Sequence, residues 1–433
     1  TPARWLTRDA KNWRNATLDP QGRIVAYNRD GDLFLMDVAN GRTLRLTDDA
    51  SDTLLDGILD WTYQEEIFGR GNYKGFWFSP NGNWLAMLRI DIGGIAPYTL
   101  AAADSPRGAG IVRRYPKAGD PIPHASLLLW DLRQFSDGFV PTPRLLAESN
   151  SQQQQIVTGV WWHEYRGELL FSVSDRRQTW RELRRVPENT LLGTGAPSKP
   201  SDRRGMSANG LSRLLLREES SAWVEPPVSP EWLKDGGIVW RSELPAGLNR
   251  LYHLSPSGTV MTPLSPADFD VQDFMVSANG ALAIVTGSTQ TGPGQRHAYR
   301  IDLDVSGNKS PKLVPITTKP GWHSTTPSPD GQFITDVYST ERRPPELSIR
   351  STTAGPSTLV EGSKLALDSR LVAPQVFRIP TDNGIGLPAM IVRPPRASRE
   401  HPCPVVVEVY GGPQAPVVST RWSDKRTLYR ELL

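Results

Sequence analysis

The chain has 433 residues, past the size at which one hydrophobic core stops growing, so two domains or one large modular domain are expected. With 8% aromatic and 22% charged residues it can bury a sizeable core, and 49 Lys and Arg against 46 Asp and Glu leave a net charge of only +3. No basic stripe with interleaved aromatics marks a nucleic-acid partner, no stretch approaches the roughly 20 apolar residues that span a bilayer, and the single cysteine, Cys403, excludes an internal disulfide framework.

From the N-terminus, Asp19-Pro-Gln-Gly22 reads as a β-turn, with Asp leading, Pro presetting φ at the second position and Gly closing. The device returns at Ser79-Pro-Asn-Gly82, Ser277-Ala-Asn-Gly280 and Ser328-Pro-Asp-Gly331. A short apolar strand is predicted after each, over residues 23–27, 84–88, 281–285 and 333–337. Hairpins with polar or Gly-containing tips are predicted over residues 33–46, 251–264, 299–314 and 347–360. Turn, strand and hairpin in that order read as one four-stranded propeller blade, and about six such units precede residue 362. A β-sandwich also has many short strands, but the turns return here at blade-like intervals over more than 300 residues. Residues 187–210, rich in Pro, Gly, Ser and Arg, read as an insertion loop.

Near residue 365 the texture changes. Residues 376–394 read as two strands joined by an Asp-Asn-Gly turn. Val405-Val-Val-Glu-Val-Tyr410 is a nearly continuous apolar run, as expected of a strand entering a buried sheet, and Gly411-Gly-Pro413 breaks it. A helical texture then runs toward Leu433.

Asp60-Trp-Thr-Tyr-Gln-Glu-Glu-Ile-Phe68 sets two adjacent carboxylates, Glu65 and Glu66, among aromatics and ahead of a Gly-rich turn. Taken alone, these are two solvated glutamates at the edge of a helical turn. The functional alternative is an anionic clamp for an ammonium group, because like charges held close repel and a bound cation relieves the repulsion. Such a pair rejects acylated amines, which leave carboxylates desolvated and unpaired. The six histidines have no metal-ligand spacing and read as structural or surface residues.

The segment Asp60-Trp61-Thr62-Tyr63-Gln64-Glu65-Glu66 resembles the double-glutamate motif of the dipeptidyl peptidase IV family, within the prolyl oligopeptidase clan of serine peptidases. Arg114-Tyr-Pro-Lys-Ala-Gly119 is similar to a blade motif of that family. Trp322-His323, with Ser328-Pro-Asp-Gly331 and Asp336-Val-Tyr-Ser339, is similar to its late-propeller signature, and Val409-Tyr-Gly-Gly-Pro413 to its first hydrolase strand and turn. The motifs stand in the family's order over nearly the whole chain.

The resemblance implies a mainly β chain: a β-propeller over residues 1–364, eight-bladed when intact, followed over 365–433 by the first strands of an α/β-hydrolase domain. The implied reaction is release of N-terminal dipeptides with penultimate Pro or Ala through an acyl-Ser intermediate, the propeller gating access. Glu65 and Glu66 would bind the substrate's free N-terminus, Tyr410 would donate to the oxyanion, and Trp223 would wall the pocket for the N-terminal side chain. A core role is the alternative for both aromatics.

No Gly-x-Ser-x-Gly elbow occurs in the chain, so the Ser, Asp and His of the triad are expected after Leu433, and a substrate-binding propeller arginine before Thr1. No metal or organic cofactor is expected. A homodimer is expected through a propeller extension near residues 92–112, and a bacterial periplasmic or secreted location, with the cytoplasm as alternative. Two other functions stay open: a related prolyl oligopeptidase or acylaminoacyl peptidase, which needs no paired glutamates, and a non-catalytic peptide-binding propeller.

Overall fold

The structure is a computed structural model, and it describes residues 5–7, 12–101, 110–133, 135, 142–149, 154–164, 166–192, 210–244, 247–289, 292, 294–303, 311–353, 355, 357–362, 372, 374–382, 384, 386–411 and 417–422. It forms two compact units, Thr1–Ser229 and Pro230–Leu433. That division falls inside the predicted propeller, and residues 363–371, where the predicted domain boundary lies, are outside the described residues. Among the described residues no helix is long and apolar enough to cross a membrane.

Among its described residues unit 1 holds three larger antiparallel sheets and one two-stranded hairpin. The first runs β1 (Arg14–Leu18), β2 (Ile24–Arg29), β3 (Asp32–Asp37), β4 (Thr43–Arg45), each strand pairing with the next. The second is built from β5 (Leu54–Asp56), β6 (Phe76–Phe78), β7 (Trp84–Asp91), then, after a separate two-stranded hairpin of β8 (Pro97–Leu100) and β9 (Ile111–Arg114), from β10 (His124–Asp131) and β11 (Arg144–Glu148). The third runs β12 (Gln155–Trp162), β13 (Leu169–Asp175), β14 (Trp180–Val186), β15 (Arg213–Glu219), with a four-residue helix α1 (Glu188–Leu191) before the last strand.

Unit 2 repeats the plan three times. Its sheets are β16 (Glu231–Trp232) to β17 (Ile238–Ser242), β18 (Arg250–Leu254) and β19 (Met261–Pro263); β20 (Phe269–Val276) to β21 (Leu282–Thr289), β22 (His297–Asp302) and β23 (Val314–Pro315); and β24 (Trp322–Pro327) to β25 (Phe333–Thr340), β26 (Arg343–Ser351) and β27 (Thr358–Glu361). A lone hairpin, β28 (Gln375–Pro380) with β29 (Gly386–Ile391), follows. Sheets of sequential antiparallel strands, repeated in chain order, are the blades of a β-propeller.

The recurring tetrapeptide joins the first two strands or strand segments in four of these sheets. In all four copies the closing Gly N–H donates to the carbonyl of the leading residue, at 2.7–3.0 Å, and each Gly has φ between 66° and 72°. The leading side chain then caps the strand: Asp19 Oδ1 accepts from Arg23 and Ile24 N–H, Ser79 Oγ from Trp84 N–H, Ser277 Oγ from Leu282 N–H, and Ser328 Oγ from Phe333 N–H. The Ser328 hydroxyl donates to Asp330 and holds its carboxyl below the usual range.

Blades adhere through the faces that strand alternation creates. On β7, Trp84, Ala86, Leu88 and Ile90 join Leu169, Phe171 and Val173 of β13 in one core, while Leu85 and Met87 join Ala26, Leu33 and Leu35 in another. Strand β21 does the same in unit 2, with Ala283 and Val285 packed beside Phe269 and Leu251, and Ile284 beside Ala298 and Ile334. A central strand buried on both faces reads as a continuous apolar run, as these do.

The run 405–410 does not become a strand. It pairs with no strand among the described residues, and Val405 is 80% exposed. An apolar strand needs neighbours on its edges, and among the described residues no strand pairs with this segment. Of the helical texture predicted beyond it, residues 417–422 are described and hold no helix, while residues 412–416 and 423–433 lie outside the described residues.

Candidate functional site

The two glutamates stand on an excursion that splits a blade's edge strand. β5 and β6 both pair with the same edge of β7, β5 against Arg89, Ile90 and Asp91 and β6 against Leu85, Ala86 and Met87. Residues 57–75 leave the sheet between them. The neck closes by backbone hydrogen bonds, Gly57 N–H to Leu88 O, Leu88 N–H to Gly75 O, Gly75 N–H to Gly57 O and Leu59 N–H to Tyr73 O, all at 2.8–2.9 Å. A Cβ on Gly75 would lie 3.1 Å from the Gly57 carbonyl carbon and 3.1 Å from Leu59 Cδ2, so a side chain here would have to push the neck apart by a few tenths of an ångström.

Within the excursion, Trp61 and Thr62 open a helical turn that continues as a π-helical turn over Tyr63–Ile67. Asp60 starts it: its carboxylate accepts from the Thr62 N–H at 3.0 Å and the Tyr63 N–H at 3.1 Å. Burial raises the Asp60 carboxyl and those two N–H groups partly offset it. Tyr63 is 1% exposed and packs in the core with Leu59, Trp84 and Val157. Its hydroxyl accepts from the Val157 N–H at 3.3 Å, 94 positions along the chain, on the edge strand β12. The turn is therefore pinned at three places: the neck, the Asp60 cap and the Tyr63 hydroxyl.

On this scaffold the two glutamates differ in exposure. The Glu65 side chain is 15% exposed and Glu66 lies on the surface. Glu65 Oε1 accepts from Arg70 Nε at 2.5 Å and from Arg70 Nη2, and Glu65 Oε2 has Gln64 Nε2 at 3.5 Å. No ion pair reaches Glu66 among the described residues. Trp61 begins an aromatic row beside the turn, with Tyr115 at 4.5 Å and Tyr98 at 5.9 Å from Tyr115, and Lys117 Nζ 4.6 Å over the Tyr98 ring. Arg114, just before Tyr115, donates to the Ile95 carbonyl at 2.6 Å and ties β9 down.

The other two predicted site residues lie on other segments of the chain. Trp223 lies between β15 and β16, 38% exposed, with its backbone N–H on Ser220 Oγ at 3.2 Å, and among the described residues no hydrogen bond or ring contact joins it to the glutamates. Its loop is anchored from below: Arg181 donates to the Glu225 carbonyl and, from Nε at 2.9 Å, to Glu218 Oε2, in an ion pair almost wholly buried. Tyr410 belongs to unit 2 and is 61% exposed.

A second acidic group, Asp32, Asp49 and Asp56, has oxygens close enough to share a cation, but arginines already serve it. Arg89 reaches both Asp56 oxygens, at 2.7 and 2.9 Å, and Asp49 at 3.0 Å, while Arg45 reaches Asp32 at 3.2 Å. Burial raises the Asp56 carboxyl, with Arg89 opposing, and the pairing pushes the Arg89 guanidinium upward. This is a charge-compensated brace between the first two sheets. His323 is equally structural: wholly buried, it has Nδ1 3.0 Å from Asp336 and Nε2 2.8 Å from the Lys319 carbonyl, with Arg350 on the same carboxylate.

Comparison with known proteins identifies the family. The family model described as the dipeptidyl peptidase IV (DPP IV) N-terminal region matches residues 3–345. A probable dipeptidyl peptidase 4 of Aspergillus flavus is 26% identical over 431 residues, covering 94% of this chain and 51% of that protein. A dipeptidyl-aminopeptidase B of Aspergillus niger is 23% identical over 441 residues, covering 94% of this chain and 45% of its own length. The chain thus spans about half the length of the curated relatives it matches. The crystal structure of Porphyromonas gingivalis dipeptidyl peptidase 4 superposes with a TM-score of 0.80 at 20% identity, over 98% of this chain and 57% of that one, a likeness of fold. By its family match and its blades, the chain belongs to the dipeptidyl peptidase IV family and carries that family's N-terminal region.

Proposed function

We propose that the whole protein is a serine-type exopeptidase that releases N-terminal dipeptides, favouring penultimate Pro or Ala, through an acyl-Ser intermediate. Glu65 and Glu66 bind the α-ammonium of the peptide. The observation that carries the reading is the pinned turn with two adjacent glutamates inside the region that matches the family. A turn fixed at its neck, its cap and Tyr63 presents the carboxylates as a rigid fork. A peptide held by its ammonium there has room for two residues before the scissile carbonyl, which makes the fork a ruler. An acylated N-terminus brings no charge and leaves the carboxylates desolvated, so blocked peptides are rejected.

Tyr410 is assigned as the oxyanion donor, a role worth about 2.7–4 kcal/mol of transition-state stabilisation. Trp223 is assigned to the wall of the pocket for the N-terminal side chain. The assignment of residues 1–364 to the access-gating propeller and 365–433 to the start of the hydrolase domain goes with this reading. So does a homodimer through the 92–112 extension, where the hairpin of β8 and β9 leaves Leu100, Ile111 and Val112 exposed. Only monomer in light scattering at micromolar concentration counts against the dimer.

The test of the activity uses the full-length protein with Gly-Pro and Ala-Pro chromogenic substrates, free and N-acetylated. Release confined to the free-amine substrates supports the reading. Robust turnover of the blocked substrates places the protein with the endopeptidases of the clan, and an inactive protein with an intact serine elbow is a peptide-binding propeller.

A further inference from the structure

The ammonium fork already holds a cation from its own chain. Arg70 donates from both Nε and Nη2 to one oxygen of Glu65. It sits in Gly69-Arg70-Gly71, where the glycines have φ of 97° and 84°, left-handed values that favour glycine. A Cβ on either glycine would meet nothing within 4 Å, so conformation and not space calls for glycine at both. The Gly71 N–H is fastened to Gln64 Oε1 at 2.8 Å, which folds the chain back on the helical turn and lays the guanidinium over Glu65.

The two partners are held unequally. The Arg70 side chain is 84% exposed and that of Glu65 15%. The carboxylate is thus part of the scaffold, while the guanidinium lies mostly in water, where an ion pair contributes little and another cation can take its place. An arginine that served to orient Glu65 permanently would be expected to be packed itself.

We infer that Arg70 is an internal stand-in for the ligand's ammonium: it neutralises Glu65 in the empty site and is displaced when a primary ammonium enters. The inference rests on Glu65 and Glu66 being the ammonium fork. Its consequence is competition. Arg70 keeps two neighbouring carboxylates from facing each other uncompensated, and it weakens the apparent affinity for every free N-terminus by the free energy of its own ion pair.

The experiment is calorimetric titration of the full-length protein with Ala-Pro amide and with its N-acetyl form, in the wild type and in Arg70→Met, Arg70→Lys and Glu65→Gln. Arg70→Met is expected to tighten Kd for Ala-Pro amide by about 2- to 5-fold, the range set by an exposed ion pair. Arg70→Lys, which keeps the cation, returns Kd toward the wild-type value. Added methylguanidinium weakens peptide binding more in Arg70→Met than in the wild type, because it fills the vacated place. A purely supporting Arg70 gives the opposite sign, weaker binding in Arg70→Met, and that result or an unchanged Kd overturns the inference. Glu65→Gln separates the two levels: if the free amide binds the wild type no better than the acetylated one, and Glu65→Gln changes nothing, the fork itself is refuted and the stand-in with it.

Discussion

Removing one oxygen atom from the core should loosen the glutamate turn. In Tyr63→Phe the ring still fills its place among Leu59, Trp84 and Val157, but the Val157 N–H loses its acceptor at 3.3 Å. Val157 is 2% exposed and lies on the edge strand of its sheet, so water does not readily replace the hydroxyl. A buried donor left unpaired costs about 1–3 kcal/mol. For a domain the size of unit 1 each kcal/mol moves Tm by about 2–4 °C, so a fall of roughly 2–12 °C is expected. Urea unfolding followed by tryptophan fluorescence gives the stability change, and native-state hydrogen exchange localises it, with the Val157 amide exchanging faster than its neighbours on β12. Unchanged Val157 exchange together with a stability loss below about 0.3 kcal/mol would refute the argument that Tyr63 pins the turn.

Two further perturbations probe the scaffold. Glu218→Ala strands the Arg181 guanidinium in the interior and should cost about 3–5 kcal/mol in urea unfolding, while freeing the Trp223 loop to limited proteolysis, since Arg181 also holds the Glu225 carbonyl; an intact loop and a loss under 1 kcal/mol would contradict it. His163 is 1% exposed, and burial first, then the charges of Arg166 and Arg185, push it down to about 4. Its unfolded value is about 6.5, so the unfolded chain binds the extra proton between the two values; the resulting stability is full above pH 6.5 and is lost as pH falls toward 4. Between pH 7 and 4.5 this amounts to about 2.5 kcal/mol, which His163→Gln should remove from the pH dependence of urea unfolding; identical acid sensitivity in the two proteins would rule it out.

What the sequence reveals here is what is local. The turn tetrapeptides are legible because leading side chain, closing Gly and capped strand lie within six residues, and each copy folds the same way. Hairpins such as the one from β18 to β19 follow from alternation and a Gly-containing tip. The helical turn is foreshadowed by Asp60, a capping residue type just ahead of it. What stays hidden depends on residues far apart in the chain. Nothing near Tyr63 announces Val157, the break of one edge strand into β5 and β6 shows only once both pair with β7, and the row from Trp61 to Tyr115 crosses more than fifty positions. Arg70 is local, and its signal was the pair of glycines around it, which reads as an ordinary turn until the side chain is seen on Glu65. The 405–410 run reads as a buried strand from its composition alone, but apolar character specifies a strand only where neighbouring strands pair with it.

The most direct test of the account is dipeptide release from Ala-Pro chromogenic substrate by the full-length protein, wild type against Glu65→Gln, Glu66→Gln. Loss of a buried or partly buried charge pair with the ligand costs about 2–5 kcal/mol, so kcat/KM is predicted to fall about 30-fold or more, with the variant's melting temperature close to that of the wild type. A variant that cleaves the free-amine substrate as well as the wild type would contradict the claim that these two carboxylates hold the peptide's N-terminus.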